Sequence, residues 1–130
     1  MSEPGPKPSV PYWHLWVDAD GVSHQRQCHL TRYELHRVGQ ADPQWNDEQG
    51  THPSTVVFTV QPVGWVGEWH ENPAPQWIVV LSGRWWIESM DGTRIEQGPG
   101  EFSSARTRAA GNAMAEEDIA RGPWAASPRC

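Results

Sequence analysis

No stretch of this sequence approaches the roughly 18 consecutive apolar residues that a membrane-crossing helix requires. The opening MSEPGPKPSVP has neither the basic n-region nor the apolar core of a secretory signal, so a cytoplasmic location is expected. Cysteine is nearly absent: Cys28 and Cys130 cannot build a disulfide framework or a four-thiolate zinc site, and both read as free thiols. Basic charge is scarce too. Ten Lys and Arg against sixteen Asp and Glu leave a net charge of −6 and no basic cluster, which argues against a nucleic-acid partner, because that affinity comes mostly from cations displacing counterions. The 130 residues, 37% of them hydrophobic, suffice for one core and not for two. The excess is in tryptophan. Nine indoles in so short a chain either fill a core and a dimer face or offer flat surfaces to a ligand.

The first eleven residues hold Pro4, Pro6, Pro8 and Pro11 and few apolar groups, and read as a disordered leader (1–11). From Tyr12, YWHLWV, DADG and VSHQRQCHL read as strand, tight turn and strand, with Asp20-Gly21 supplying the positive φ of a hairpin. RYELHRV (32–38) reads as a strand, GQADPQWNDEQGTHPS as a loop, and TVVFTVQPV (55–63) as a further strand. QWIVVL and RWWIES, joined at Ser82-Gly83, read as a hairpin, as do RWWIES and RIE around Asp91-Gly92. The glycines of GPGEF mark a sharp turn before a short strand. Short strands, regular turns and no amphipathic helix before Phe102 predict an all-β antiparallel sandwich or barrel.

The spacing of one segment points further. Gly64 is followed by five residues, then His70-Glu71-Asn72, three residues, Gln76, six residues and Gly83. This resembles the first motif of the cupin superfamily, whose slots are Gly, His-x-His, Glu and Gly; here Asn72 stands in the second His slot and Gln76 in the Glu slot. The second motif is matched by Gly92, TRIEQ, Gly98-Pro99-Gly100, EF, Ser103, SAR and Thr107, with Ser103 in the ligand-histidine slot. The resemblance covers about residues 55–102. It implies an RmlC-like jelly roll, a cupin-type antiparallel β-barrel over 12–102 that is incomplete at its C-terminal end, and a cavity facing His70, Asn72 and Gln76. It does not imply a reaction, because the superfamily spans enzymes and non-catalytic binding domains.

A divalent iron, manganese, nickel or zinc ion wants about three converging donors. Only His70 is a strong donor at a motif position, with Gln76 a weak carbonyl donor. The expectation is therefore a non-catalytic or vestigial cupin that binds a small organic ligand through His70, Asn72, Gln76 and Trp85, the indole serving a planar or sugar-like molecule. The alternative is a metal-dependent cupin enzyme, an oxygenase or isomerase, with His70 and Gln76 among its metal ligands. An open sheet edge or Trp-rich face also leads us to expect a homodimer. Other clusters are weaker. His24, Cys28 and His29 fall on both faces of a strand and read as a surface strand, Asp18–Gly21 is too short for a calcium loop, and Glu68 and Glu88 read as exposed strand carboxylates.

Beyond Phe102 the composition changes. The last 28 residues (103–130) hold eight alanines and no Val, Leu, Phe or Tyr, so they offer poor strand material; a weak helix over 113–121 is possible and the rest reads as disordered. A one-base shift of reading frame just after Phe102 would account for this break, and would turn a Ser-Phe-Gly-Glu-Asp-Gln continuation into Ser103–Arg108 as found; sequencing the codons there tests it.

Overall fold

The computed structural model describes residues 3–50, 53–71, 75–105 and 109–110, with backbone alone for 70–71 and 109–110. Among them there is no helix, hence none long and apolar enough to cross a membrane. The chain is all-β. Its main sheet has four strands in the order β2-β1-β9-β6: β1 Val10–Val17, β2 Ser23–Leu30, β6 Gln76–Val79 and β9 Phe102–Ala105. Three two-stranded pieces accompany it: β3 (Glu34–His36) with β4 (Gln44–Asn46), β5 (His70–Glu71) with β10 (Ala109–Ala110), and β7 (Trp85–Glu88) with β8 (Arg94–Gln97). No closed barrel forms among the described residues.

The β1–β2 hairpin forms as expected. Gly21 at φ 81° turns the chain, and the Asp18 carboxylate accepts from the amides of Asp20 and Val22, at 2.9 and 3.0 Å. The β7–β8 hairpin also forms, with Gly92 at φ 86° and the Asp91 carboxylate accepting from the Thr93 amide at 2.9 Å. Other expectations need correcting. Strand β6 pairs with β9 and not with β7, so Ser82-Gly83 joins two sheets instead of closing a hairpin. The sheet is not purely antiparallel: β1 and β9 run parallel, which the long excursion between them permits. β4 lies in the segment read as a loop. Residues 55–63 form no strand, although their side chains suit one, because no described strand lies beside them.

The boundaries differ as well. β1 starts at Val10, inside the expected leader, and the Pro4 carbonyl accepts a hydrogen bond from Trp45 Nε1 at 3.0 Å. β9 continues three residues past Phe102, using Ser103, Ser104 and Ala105. Small side chains serve there because β9 is covered on both faces and flanked on both edges, where bulk is not needed to hold the ladder. The helix expected over 113–121 lies outside the described residues. Cys28 is disulfide-bonded, correcting its reading as a free thiol.

Register fixes the two faces of the main sheet. On one face Tyr12 packs against Trp77 edge-on at 5.2 Å and stacks with Phe102 at 5.8 Å; Trp16, further along, stacks on His24 at 4.7 Å beneath the Arg26 guanidinium. The opposite face carries Leu15 and Val17 of β1, Ser23 and Gln25 of β2, Ser103 and Ala105 of β9, and Gln76 and Ile78 of β6. The β7–β8 hairpin is anchored to this second face: Gln25 Nε2 donates to the carbonyls of Ile87 and Thr93, at 3.0 and 3.2 Å, and Ser23 Oγ accepts from the Met90 amide at 2.7 Å.

Candidate functional site

The β7–β8 hairpin has one solvent face and one inward face. Trp86, Glu88, Arg94 and Glu96 share the outer side, where Arg94 lies 3.9 Å over the Trp86 ring and 4.0 Å from the Glu88 carboxylate. Alternation then turns Trp85, Ile87, Ile95 and Gln97 inward. Gln97 ends β8, and the chain reaches β9 through a four-residue turn built on Gly98-Pro99-Gly100. Gly100 adopts φ 83°, Glu101 N donates to the Gly98 carbonyl at 3.0 Å, and Gly100 N donates to the Val80 carbonyl at 2.9 Å. This turn places Gln97 on the inward face of the hairpin and Ser103 on the sheet face to which the hairpin is tied.

Both residues are buried, at 0% and 2% exposure. Trp85 Nε1 donates to Gln97 Oε1 at 3.3 Å, but Gln97 Nε2 and Ser103 Oγ find no hydrogen-bond partner among the described residues. A buried polar group without a partner costs about 1–3 kcal/mol, and two of them flank this one turn. None of the inward-facing residues named for the hairpin or for the second face of the sheet carries a charge.

The four residues expected to form the ligand site fare differently. Gln76 opens β6, half-buried, opposite Ala105 and on the same face as Ser103. Trp85 opens β7 and meets Gln97. No hydrogen bond or ring contact joins Gln76 to Trp85 among the described residues. His70 is placed by its backbone in β5 opposite Ala110, its side chain lying outside the description, and Asn72 lies outside the described residues. Sequence reasoning missed Gln97. The available signal was the alternation of Arg94–Gln97: once Ile95 is assigned inward, Gln97 must follow.

A second cluster was also missed. The His24 imidazole is held between two carboxylates: Nε2 lies 2.6 Å from Asp18 Oδ2 and Nδ1 lies 2.8 Å from Asp91 Oδ2. Both ring nitrogens then donate, which is the arrangement of an imidazolium. The hydrogen bond to Asp18 raises the His24 pKa above its ordinary 6.5 against the opposing effect of burial, and Asp91 adds to the rise. Asp18 is lowered in turn by His24 and by the Val22 amide. Partial burial pushes Asp91 upward, yet the Ser89 hydroxyl, the Thr93 amide and His24 pull it down to about 2. With both nitrogens engaged, His24 has no lone pair to offer a metal; the cluster staples the β1–β2 turn to the β7–β8 turn. Among the described residues no three His, Cys, Asp or Glu side chains gather as a metal ion would need.

No family model, curated protein or solved structure matches the chain.

Proposed function

We propose that this chain is a cupin-type binding protein that holds a small, neutral organic ligand between its four-stranded sheet and the β7–β8 hairpin, without catalysis. The observation that carries the reading is the wholly buried Gln97, whose amide nitrogen lacks a partner while its oxygen is engaged by Trp85. A buried amide N–H and a buried serine hydroxyl, neither with a partner among the described residues and both on faces without charged residues, suit a ligand bearing hydroxyl or carbonyl oxygens, for which the Trp85 ring would be a flat apolar wall. The spacing of Gly64, His70, Gln76 and Gly83 supports the cupin assignment, in which Gln76 and Ser103 occupy two ligand slots. Gln76 and Ser103 also share one face of the sheet. A homodimer in the cytoplasm is the accompanying expectation.

The alternative, a metal-dependent oxygenase or isomerase, draws on His70 and Gln76. One imidazole and one neutral amide fall short of the about three donors such an ion takes, so no step is derived through a metal. The test is a fluorescence titration of the purified chain with a panel of small neutral polyols and amides. Saturable binding that weakens at least tenfold in Gln97→Leu is expected. Absence of saturable binding across the panel, or equal binding by the variant, overturns the reading.

A further inference from the structure

Residues 55–61, TVVFTVQ, form an apolar arm that the described structure leaves uncovered. Val56 is 76% exposed, Phe58 82% and Val60 91%, and alternation puts these three on one side of an extended chain with Val57 flanked by Thr and Gln on the other. No charge interrupts residues 53–67, and Pro62, which has no N–H, ends the stretch that can pair. Such a segment has strand composition without a strand's partner.

An edge of matching character lies in the main sheet. β6 pairs with β9 on one side only, and no described strand occupies its other side. That edge is uncharged along QWIVVL, with Val79 55% and Leu81 70% exposed. β2, the opposite outer strand, carries Arg26 and two histidines, the kind of charge that discourages edge pairing. The chain's own last twenty residues (111–130) contain no Val, Leu, Phe or Tyr and are poor strand material for covering the arm.

We propose that the 55–61 arm adds as a strand to the free β6 edge of a second copy of this chain, reciprocally, giving a closed two-fold dimer. Paired there, Val56, Phe58 and Val60 extend the cluster of Tyr12, Trp77 and Phe102, and the arm's unpaired amides and carbonyls gain ladder partners. The area is adequate once both sides are counted: the four apolar residues of each arm present roughly 550 Å², so reciprocal exchange withdraws about 1,100 Å² from the two arms, and the β6 edges they cover bring the total into the about 1,200–2,000 Å² of stable interfaces. Identical surfaces meeting about a two-fold axis close at two copies. The proposal is independent of the ligand reading.

Sedimentation of the full chain over about 1–100 µM tests it. The wild type is expected to form a reversible dimer. Phe58→Asp with Val60→Asp in the arm, and Val79→Lys on the receiving edge, should each weaken association at least tenfold while near-ultraviolet circular dichroism of the monomer stays unchanged, since both sites are exposed. A mixture of the arm variant with the edge variant retains one intact junction and should associate more tightly than either alone. A wild type that stays monomeric throughout overturns the proposal, whether or not the tail covers the arm within one chain. So does association untouched by the arm variant, growth into open-ended polymers, or a mixture no tighter than its components.

Discussion

Replacing Asp91 with Asn keeps the side chain's shape and removes the charge that faces His24. Asp91 lies 2.8 Å from His24 Nδ1, 2.7 Å from the Ser89 hydroxyl and 2.9 Å from the Thr93 amide, and its side chain is 23% exposed. Its pKa falls from 3.8 to about 2 on folding. At about 1.4 kcal/mol per tenfold change in acidity, that lowering corresponds to at most roughly 2 kcal/mol of stability, solvent screening at this partly exposed side chain reducing it. For a lowered carboxyl this stability is present above pH 3.8 and disappears as the pH falls toward 2. The raised pKa of His24 acts in the opposite direction: its contribution is complete below 6.5 and is lost as the pH rises through the higher folded value. The wild type should therefore be most stable between about pH 4 and 6.5 and weaken on both sides. Urea unfolding of wild type and Asp91→Asn across pH 2–9 measures this directly. The variant should lose up to about 2 kcal/mol near pH 5.5, the two curves should converge by about pH 2, and the variant's decline at alkaline pH should begin earlier because its His24 is less basic. A constant gap at every pH would refute the reasoning, since the loss would then come from packing and not from charge.

Two further outcomes follow from the same structure. Ser103→Ala removes a buried hydroxyl that has no described partner, so thermal unfolding of the ligand-free chain should show unchanged stability or a gain of up to about 1 kcal/mol, whereas a loss larger than that would show that Oγ is engaged. Elemental analysis of the purified chain should find iron, manganese, nickel and zinc well below one equivalent and unaltered by His70→Ala; near-stoichiometric metal lost in that variant would establish the enzyme reading instead.

The elements legible in the sequence are those set by neighbouring residues. Asp20-Gly21 and Asp91-Gly92 force positive φ between strand-forming runs, and both hairpins stand where these dipeptides place them. The GPGEF turn is local in the same way, since Gly100 meets the steric demand and Glu101 donates back to Gly98. Partnership across the chain was not legible. Residues 55–61 have the composition of a strand and no described neighbour, whereas Phe102–Ala105 is poor in strand formers and sits between β1 and β6. β-propensity largely measures fit to neighbours, so context decided both cases. For the site, the motif spacing directed attention to Gln76 and Ser103, which share a face of the sheet, and to Trp85, which meets Gln97 instead of Gln76. The His24 clamp was hidden because Asp91 lies 67 residues along the chain from its partner, and a histidine on a polar strand gives no sign of a distant carboxylate.

The proposed binding function requires Gln97 and Ser103 to take up an oxygen-bearing ligand. The most direct measurement is the nitrogen-15 spectrum of the chain, with the Trp85 Nε1 and Gln97 side-chain amide signals assigned through Trp85→Phe and Gln97→Leu, recorded while a bound neutral polyol or amide is titrated in. These signals should shift together and saturate, with Ser103→Ala weakening the interaction. Binding that saturates while both signals stay fixed would place the ligand elsewhere and contradict the claim.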